Sequence, residues 1–179
     1  MISPSQARAP ATPTSASELT GSMDQAHLSR LRELERRNVL VWAIDDAHLR
    51  NYLVPRECPR VTFYAGPRTS VADRERFLGS SAAVVAIEPA WFPRMQSSRL
   101  FCYHLPADGF TSYDETAGYF LCRSSVKPVS VECIGDPVSA ILTRGVELRV
   151  LPTLSSLRDA VVASTLEFSV IRWRNASPR

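Results

Sequence analysis

The chain has 179 residues, 45% of them hydrophobic, which is enough for one domain with a proper core. Its 21 basic and 18 acidic residues nearly balance and form no basic run, so nucleic-acid binding is not expected. No apolar stretch approaches the roughly 20 residues of a membrane span, and the N-terminus lacks the apolar core of a secretory signal. These features predict a cytoplasmic protein without a membrane segment.

The first part of the chain differs in composition from the rest. Residues 1–23 are rich in Ser, Thr, Ala and Pro and poor in charge, which predicts a disordered tail. Residues 24–38 place leucines at near-helical spacing among charged side chains, which predicts a charged surface helix. Residues 39–176 alternate short apolar runs with turn signals and form the predicted domain.

Several apolar runs of this domain follow one another without a helix between them. Such neighbours pair antiparallel, so we predict an α+β fold of mostly antiparallel strands with several short helices. The predicted strands span 39–44, 60–65, 82–88, 99–105, 119–125, 127–134, 146–151 and 166–173. The side chains expected in the core include Val39, Val41, Trp42, Ile44, Val61, Phe63, Val84, Val85, Phe168 and Val170.

Capping residues mark the predicted helices. Asp45 is a suitable N-cap for a short helix after the first strand, and Ser70 is a suitable N-cap for the next helix. The clearest helix begins after Asp136 and ends at Gly145. A further helix is predicted over roughly 154–164.

The sequence predicts no metal site. Its histidines are isolated, and no two cysteines have the short spacing of zinc ligands. The expected state of the thiols is therefore reduced and buried, as small hydrophobic side chains. The cysteines are Cys58, Cys102, Cys122 and Cys133.

Polar and aromatic side chains cluster directly after the strand 39–44. Asp45 and His48 lie there, and a carboxylate beside an imidazole can serve as a general acid–base pair. Tyr52 and Arg56 follow and could contact a substrate. The alternative is that Asp45 only caps a helix and Arg56 is a solvated charge.

The C-terminal strand supplies the other candidates. Its alternation places Glu167 and Trp173 on the face opposite Leu166. Glu167 is expected to have a basic partner if it is buried, and to face solvent otherwise. The candidate partners are Arg158, Arg172 and Arg174. We predict that Asp45, His48, Tyr52, Arg56 and Glu167 converge in one concave site. The predicted catalytic residues are Asp45, His48 and Glu167, and the predicted substrate-binding residues are Tyr52, Arg56 and Trp173.

Two segments carry a resemblance to known proteins. The chain resembles a bacterial family of unknown function over roughly residues 39–176. The segments that carry this resemblance are "VWAIDDAHLRNYLVPRECPRVTFYAG" and "GVELRVLPTLSSLRDAVVASTLEFSVIRWRNA". This resemblance implies no particular reaction. The strand and short helix in "VWAIDDAHLRNYL" are also similar to ADP-ribosyltransferase-like domains, although Gly118 and Tyr119 stand where their catalytic glutamate is expected.

These observations predict a small-molecule or nucleotide-like ligand-binding domain, as an enzyme or an accessory enzyme of specialised metabolism. No cofactor is indicated, and catalysis itself is left open. The alternative is a noncatalytic interaction domain that binds a protein partner through the helix predicted at 24–38.

Overall fold

The computed structural model describes residues 8–10, 40–115 and 117–178. The described residues fall into two compact units, one within Met1–Leu49 and Phe101–Cys133 and the other within Arg50–Leu100 and Ile134–Arg179. The helix predicted at 24–38 and most of the tail predicted at 1–23 lie outside the described residues.

The α+β fold class is confirmed, because short helices alternate with mostly antiparallel strands. The strands of the described residues are β1 (Arg8–Pro10), β2 (Val41–Ile44), β3 (Arg60–Tyr64), β4 (Ala83–Ile87), β5 (Leu100–His104), β6 (Thr111–Asp114), β7 (Tyr119–Cys122), β8 (Ser130–Ile134), β9 (Val146–Val150) and β10 (Glu167–Ile171). The α-helices are α1 (Val71–Phe77), α2 (Phe92–Ser97), α3 (Pro137–Leu142) and α4 (Ser155–Val162). Short 3-10 helices span Leu49–Tyr52, Pro89–Trp91 and Trp173–Asn175.

The first unit is built on a six-stranded sheet with the order β6-β7-β2-β1-β5-β8. β2 pairs antiparallel with β7, so that Val41 faces Cys122 and Ile44 faces Tyr119. One side of the sheet carries a small core around Ala43 and Leu105. The half-buried side chains packed against that core are Val41, Tyr103, Phe110, Phe120 and Val126.

The second unit is built on a four-stranded sheet with the order β10-β3-β4-β9. β3 pairs antiparallel with both β10 and β4, whereas β4 and β9 are parallel. All five residues of β4 are buried, as expected for a strand covered on both faces. The main core cluster consists of Val61, Phe63, Phe77, Leu78, Val84, Ala86, Leu154, Val161 and Leu166.

The helix caps predicted at Ser70 and Asp136 are confirmed, whereas Asp45 caps a turn that precedes the 3-10 helix Leu49–Tyr52. The hydroxyl of Ser70 accepts a hydrogen bond from the backbone N–H of Asp73 at 3.1 Å, at the start of α1. The carboxylate of Asp136 accepts one from the backbone N–H of Ser139 at 3.0 Å, at the start of α3. Gly145 follows α3 with a φ of 68°, where a residue with a Cβ would be strained.

The predicted burial of four residues is corrected. Phe168 is 39% exposed rather than buried, because β10 is an edge strand with a neighbour on one side only. Val41 and Val170 are half-buried. Cys133 is exposed, while the other three cysteines are buried as expected. Val39 lies outside the described residues.

Two strands add to the predicted elements. β6 was not predicted, and β1 lies within the segment predicted as a tail, where it pairs antiparallel with both β2 and β5. No helix among the described residues is both long and apolar enough to cross a membrane.

Candidate functional site

Asp45 and His48 form a nearly buried pair in the first unit. Asp45 follows β2 directly, and its Oδ1 accepts a hydrogen bond of 2.7 Å from the backbone N–H of His48. The same oxygen lies 2.7 Å from Nδ1 of the His48 ring. The side chains of His48 and Asp45 are 12% and 9% exposed. One carboxylate oxygen therefore caps the turn and also orients the imidazole.

Gly118 makes room for this pair. It precedes β7 with a φ of 70°, and its carbonyl accepts a hydrogen bond of 3.0 Å from the backbone N–H of Asp45. A Cβ at position 118 would overlap Nδ1 of His48 and lie 2.8 Å from Oδ2 of Asp45. The sequence shows Gly118 only as the residue before a strand, so its steric role becomes visible only in the structure.

The contact between Asp45 and the ring has a chemical consequence for His48. While Asp45 is ionised, the contact requires a proton on Nδ1, which then donates to the carboxylate. A carboxylate in this position holds an imidazole in one tautomer and one orientation. The nitrogen that would exchange a proton with a ligand is then Nε2.

The sheet that leads to the pair also carries apolar side chains. Asp45 follows the last paired residue of β2, and its backbone N–H donates to the carbonyl of Gly118, the residue before β7. Ala43 of β2 belongs to the half-buried apolar group around Ala43 and Leu105. Small-molecule sites commonly combine partly exposed apolar surface with a few polar groups.

Tyr52 and Arg56 lie in the second unit, around the buried Arg60. The guanidinium of Arg60 lies 5.5 Å from the centre of the Tyr52 ring. The carbonyl oxygen of Arg56 accepts hydrogen bonds from Arg60 at 3.4 Å and from Arg172 at 3.2 Å. The side chain of Arg56 is 57% exposed, and its contact with Glu57 is 3.9 Å. Within this unit, Arg56 takes part in the hydrogen bonds around Arg60 through its backbone carbonyl.

Glu167 lies at the other end of the β3–β10 pair from Arg60. It faces Tyr64, whereas Arg60 faces Ile171. Four residue steps along β3 separate Arg60 from Tyr64, which corresponds to about 13 Å of strand. Glu167 is half-buried, and a Cβ on Gly66 would lie 2.9 Å from its Oε1. The structure therefore separates the backbone of Glu167 from the Arg60 cluster by most of a strand.

The arginines predicted as partners of Glu167 pair elsewhere. Arg172 and Arg174 contact the Glu57 carboxylate at 3.3 and 3.2 Å. Desolvation raises the pKa of Glu57, but hydrogen bonds from Asn175 and Arg174 outweigh it and hold the pKa below its ordinary value.

Trp173 has a different arginine as its neighbour. The guanidinium of Arg158 lies 4.2 Å from the centre of the Trp173 ring, and Arg158 also pairs with Asp159 at 2.6 Å. This stacking accounts for Trp173 as a packing residue of the second unit.

A separate group in the first unit offers metal-ligating atoms. Cys102, His104 and Glu132 each place one such atom within 4.8 Å of the others. The sequence signal was the Cys-x-His spacing on one strand, which places both side chains on the same face.

Cys58, in the second unit, has an unreactive thiol. Burial raises the pKa of this thiol to about 12 and keeps it protonated.

Fold and site together define an α+β protein with a buried carboxylate–imidazole pair at the end of a central strand. The chain belongs to a family described as "Family of unknown function (DUF6886)", which it matches over residues 25–176. No curated protein and no solved structure matches it. The predicted membership of a family of unknown function is confirmed, while the similarity to ADP-ribosyltransferase-like domains gains no support and stays a prediction.

Proposed function

We propose that the chain is a cytoplasmic domain that binds a small-molecule or nucleotide-like ligand, and that the Asp45–His48 pair exchanges a proton with that ligand. The observation that carries the proposal is the double use of Asp45 Oδ1, which lies 2.7 Å from both the backbone nitrogen and the ring nitrogen Nδ1 of His48.

Capping alone does not explain this arrangement. A cap needs only an acceptor for the His48 N–H, which Ser, Thr or Asn could also provide. It needs neither the contact of Asp45 with the imidazole ring nor the glycine that makes room for the ring at position 118. Both features are expected where an imidazole is held ready for proton transfer.

The surroundings favour a particular class of ligand. The half-buried apolar side chains of the first unit suit a planar or apolar group, and the imidazole suits a neighbouring group that gains or loses a proton. Nucleotide bases and small organic acids combine these properties. The free thiols of all four cysteines suit a reducing compartment such as the cytoplasm.

The remaining predicted site residues stay part of the proposal as a separate, weaker component. Tyr52, Arg56, Glu167 and Trp173 belong to the second unit, and contacts within that unit already account for Tyr52 and Trp173. Replacing Arg56 and Glu167 therefore tests a role in ligand binding more directly than replacing Tyr52 and Trp173. A role as an enzyme of specialised metabolism also remains a proposal, because it depends on the ligand.

A thermal-shift panel with NAD, nucleoside monophosphates and small carboxylic acids at millimolar concentration tests the proposal. A chelator is present throughout. A ligand at ten times its Kd stabilises the native state by about 1.4 kcal/mol, which is a measurable shift. We expect at least one class to stabilise the wild type and His104→Gln, but not His48→Gln. If no class stabilises the wild type, the proposal is wrong.

The alternative of an interaction domain rests on residues 24–38, which lie outside the described residues. Deleting residues 1–38 would also remove β1, which pairs with both β2 and β5. Reversing charges at Arg32 and Arg36 is the cleaner test. A pull-down partner that is lost in these variants would support the interaction domain, whereas the ligand response is expected to stay unchanged.

A further inference from the structure

The group formed by Cys102, His104 and Glu132 lies on two neighbouring strands of the first unit. Cys102 and His104 are alternate residues of β5, and Glu132 is on β8, the next strand in the sheet. A hydrogen bond of 2.8 Å from the backbone N–H of Val129 to the carbonyl of His104 joins the two segments. Because alternate residues of a strand share a face, the thiol and the imidazole lie on the same side of β5.

The distances within the group suit a small cation. Nε2 of His104 lies 3.2 Å from Oε2 of Glu132, and the Cys102 sulfur lies within 4.8 Å of both partners' ligand atoms. Around tetrahedral zinc, ligand atoms at bond lengths of about 2.0–2.3 Å are separated by about 3.3–3.7 Å. Small side-chain movements of roughly 1 Å would therefore complete the coordination.

The burial of the three residues is graded. Cys102 is 3% exposed, whereas the side chains of His104 and Glu132 are 27% and 49% exposed. The thiol thus lies at the base of the group, and an ion can arrive from solvent between the other two. An exposed His–Glu pair alone would contribute little to stability, and it would not require a thiol beneath it.

We infer that Cys102, His104 and Glu132 bind Zn²⁺, with water in the fourth position, and that the ion ties β8 to β5. A thiolate with an imidazole favours zinc over Mg²⁺ or Ca²⁺, which prefer oxygen ligands. The ion would bind Cys102 as the thiolate and His104 through Nε2, because metal ligands are bound in their deprotonated forms.

Titration of the chelator-treated protein with Co²⁺, followed by Zn²⁺, tests the site. Co²⁺ bound by a thiolate gives a sulfur-to-metal charge-transfer band in the near ultraviolet. We expect one equivalent of Co²⁺ to produce the band, and Zn²⁺ to abolish it and raise the melting temperature. The band is expected in Cys133→Ser, whose exposed thiol is adjacent to Glu132, and absent in Cys102→Ser.

If Cys102→Ser does not fold, the two more exposed zinc-binding residues, Glu132 and His104, provide the test instead. Glu132→Gln and His104→Gln are expected to weaken Zn²⁺ binding by more than the roughly 10–100-fold that loss of an outer-shell partner causes. His48→Gln is expected to bind Zn²⁺ like the wild type, which separates this site from the proposed ligand site. The inference is wrong if the wild type gives no band, if the band depends on Cys133, or if neither Glu132→Gln nor His104→Gln changes the affinity.

Discussion

Each unit buries charged groups next to the end of a strand, but the two clusters use them differently. In the second unit, the guanidinium of Arg60 donates to the carbonyl oxygens of Asn51 at 2.9 Å and Cys58 at 3.0 Å. In the first unit, the carboxylate of Asp45 contacts an imidazole that can itself gain and lose a proton. Burial of charge is common to both clusters, and the identity of the partner distinguishes them.

The arginine cluster is explained by the backbone that it satisfies. The loop between the 3-10 helix and β3 would otherwise bury carbonyl groups without donors, which is unfavourable. Arg172 serves the same loop, and its left-handed φ of 55° is the one positive φ among the described residues other than glycine. Strain here accompanies a structural contact, so strain by itself does not mark a functional site.

The largest expected effect separates a buried arginine from an exposed one. Arg60→Ala leaves the carbonyls of Asn51 and Cys58 without these donors, and it should lower the free energy of unfolding by about 3 kcal/mol. Arg56→Ala removes an exposed side chain while keeping the carbonyl, and it should cost less than about 0.5 kcal/mol. Urea unfolding of both variants measures the difference. If both variants lost the same free energy of unfolding, the conclusion that Arg60 has the structural role and the Arg56 side chain has none would be wrong.

The next effect concerns the glycine beside the pair in the first unit. Gly118→Ala should cost about 2 kcal/mol, because it combines a left-handed backbone with an overlap on His48. Gly79→Ala is the matched control: its φ is 54°, but a Cβ there meets nothing within 4 Å, so about 1 kcal/mol is expected. Gly118→Ala should also abolish ligand stabilisation, whereas Gly79→Ala should retain it. If both variants retained ligand stabilisation, the exact position of the Asp45–His48 pair would not matter for binding.

Acid should weaken the contacts of Glu57 in the second unit. Because its folded-state pKa is lowered, Glu57 contributes stability above its unfolded pKa, and that contribution is lost as the pH falls through the folded pKa. The melting temperature of Glu57→Gln should therefore fall less steeply than that of the wild type in this acidic range. Glu75→Gln, on the exposed face of α1, serves as the control and should follow the wild type. Identical slopes for all three proteins would show that the contacts of Glu57 are not stabilising.

The smallest expected change in stability distinguishes capping from proton transfer at Asp45. Asn is as good an N-cap as Asp, so Asp45→Asn should change the free energy of unfolding by less than about 0.5 kcal/mol. It nevertheless removes the carboxylate charge that contacts the His48 ring, so ligand stabilisation should decrease. Thermal shift with and without ligand measures both effects. A fully retained ligand response would reduce Asp45 to a cap.

The sequence predicts well those elements whose burial is continuous. The strands at 60–65 and 82–88 appear as β3 and β4, because their apolar runs are covered on both faces. β6 has no such signal, since Thr111–Asp114 are exposed or half-buried. Phe168 lies on the predicted strand but at the edge of its sheet, a position that local alternation does not report.

The candidate site was predictable only where it is local. Asp45 and His48 are three residues apart, so a capping residue near an imidazole could be identified from spacing. The contribution of Gly118 depends on the pairing of β2 with β7, about 70 residues later in the chain, which spacing does not indicate. The burial of Arg60 depends likewise on carbonyls that converge only after folding.

The most direct test of the acid–base assignment is a long-range ¹⁵N–¹H NMR spectrum of the histidine rings, recorded while the best ligand of the panel is added. The account predicts that His48 carries its proton on Nδ1 in the free protein and that its Nε2 resonance shifts with the same concentration dependence as the stabilisation. The His104 resonances should remain unchanged. A ligand that stabilises the protein while the His48 resonances stay fixed would contradict the account.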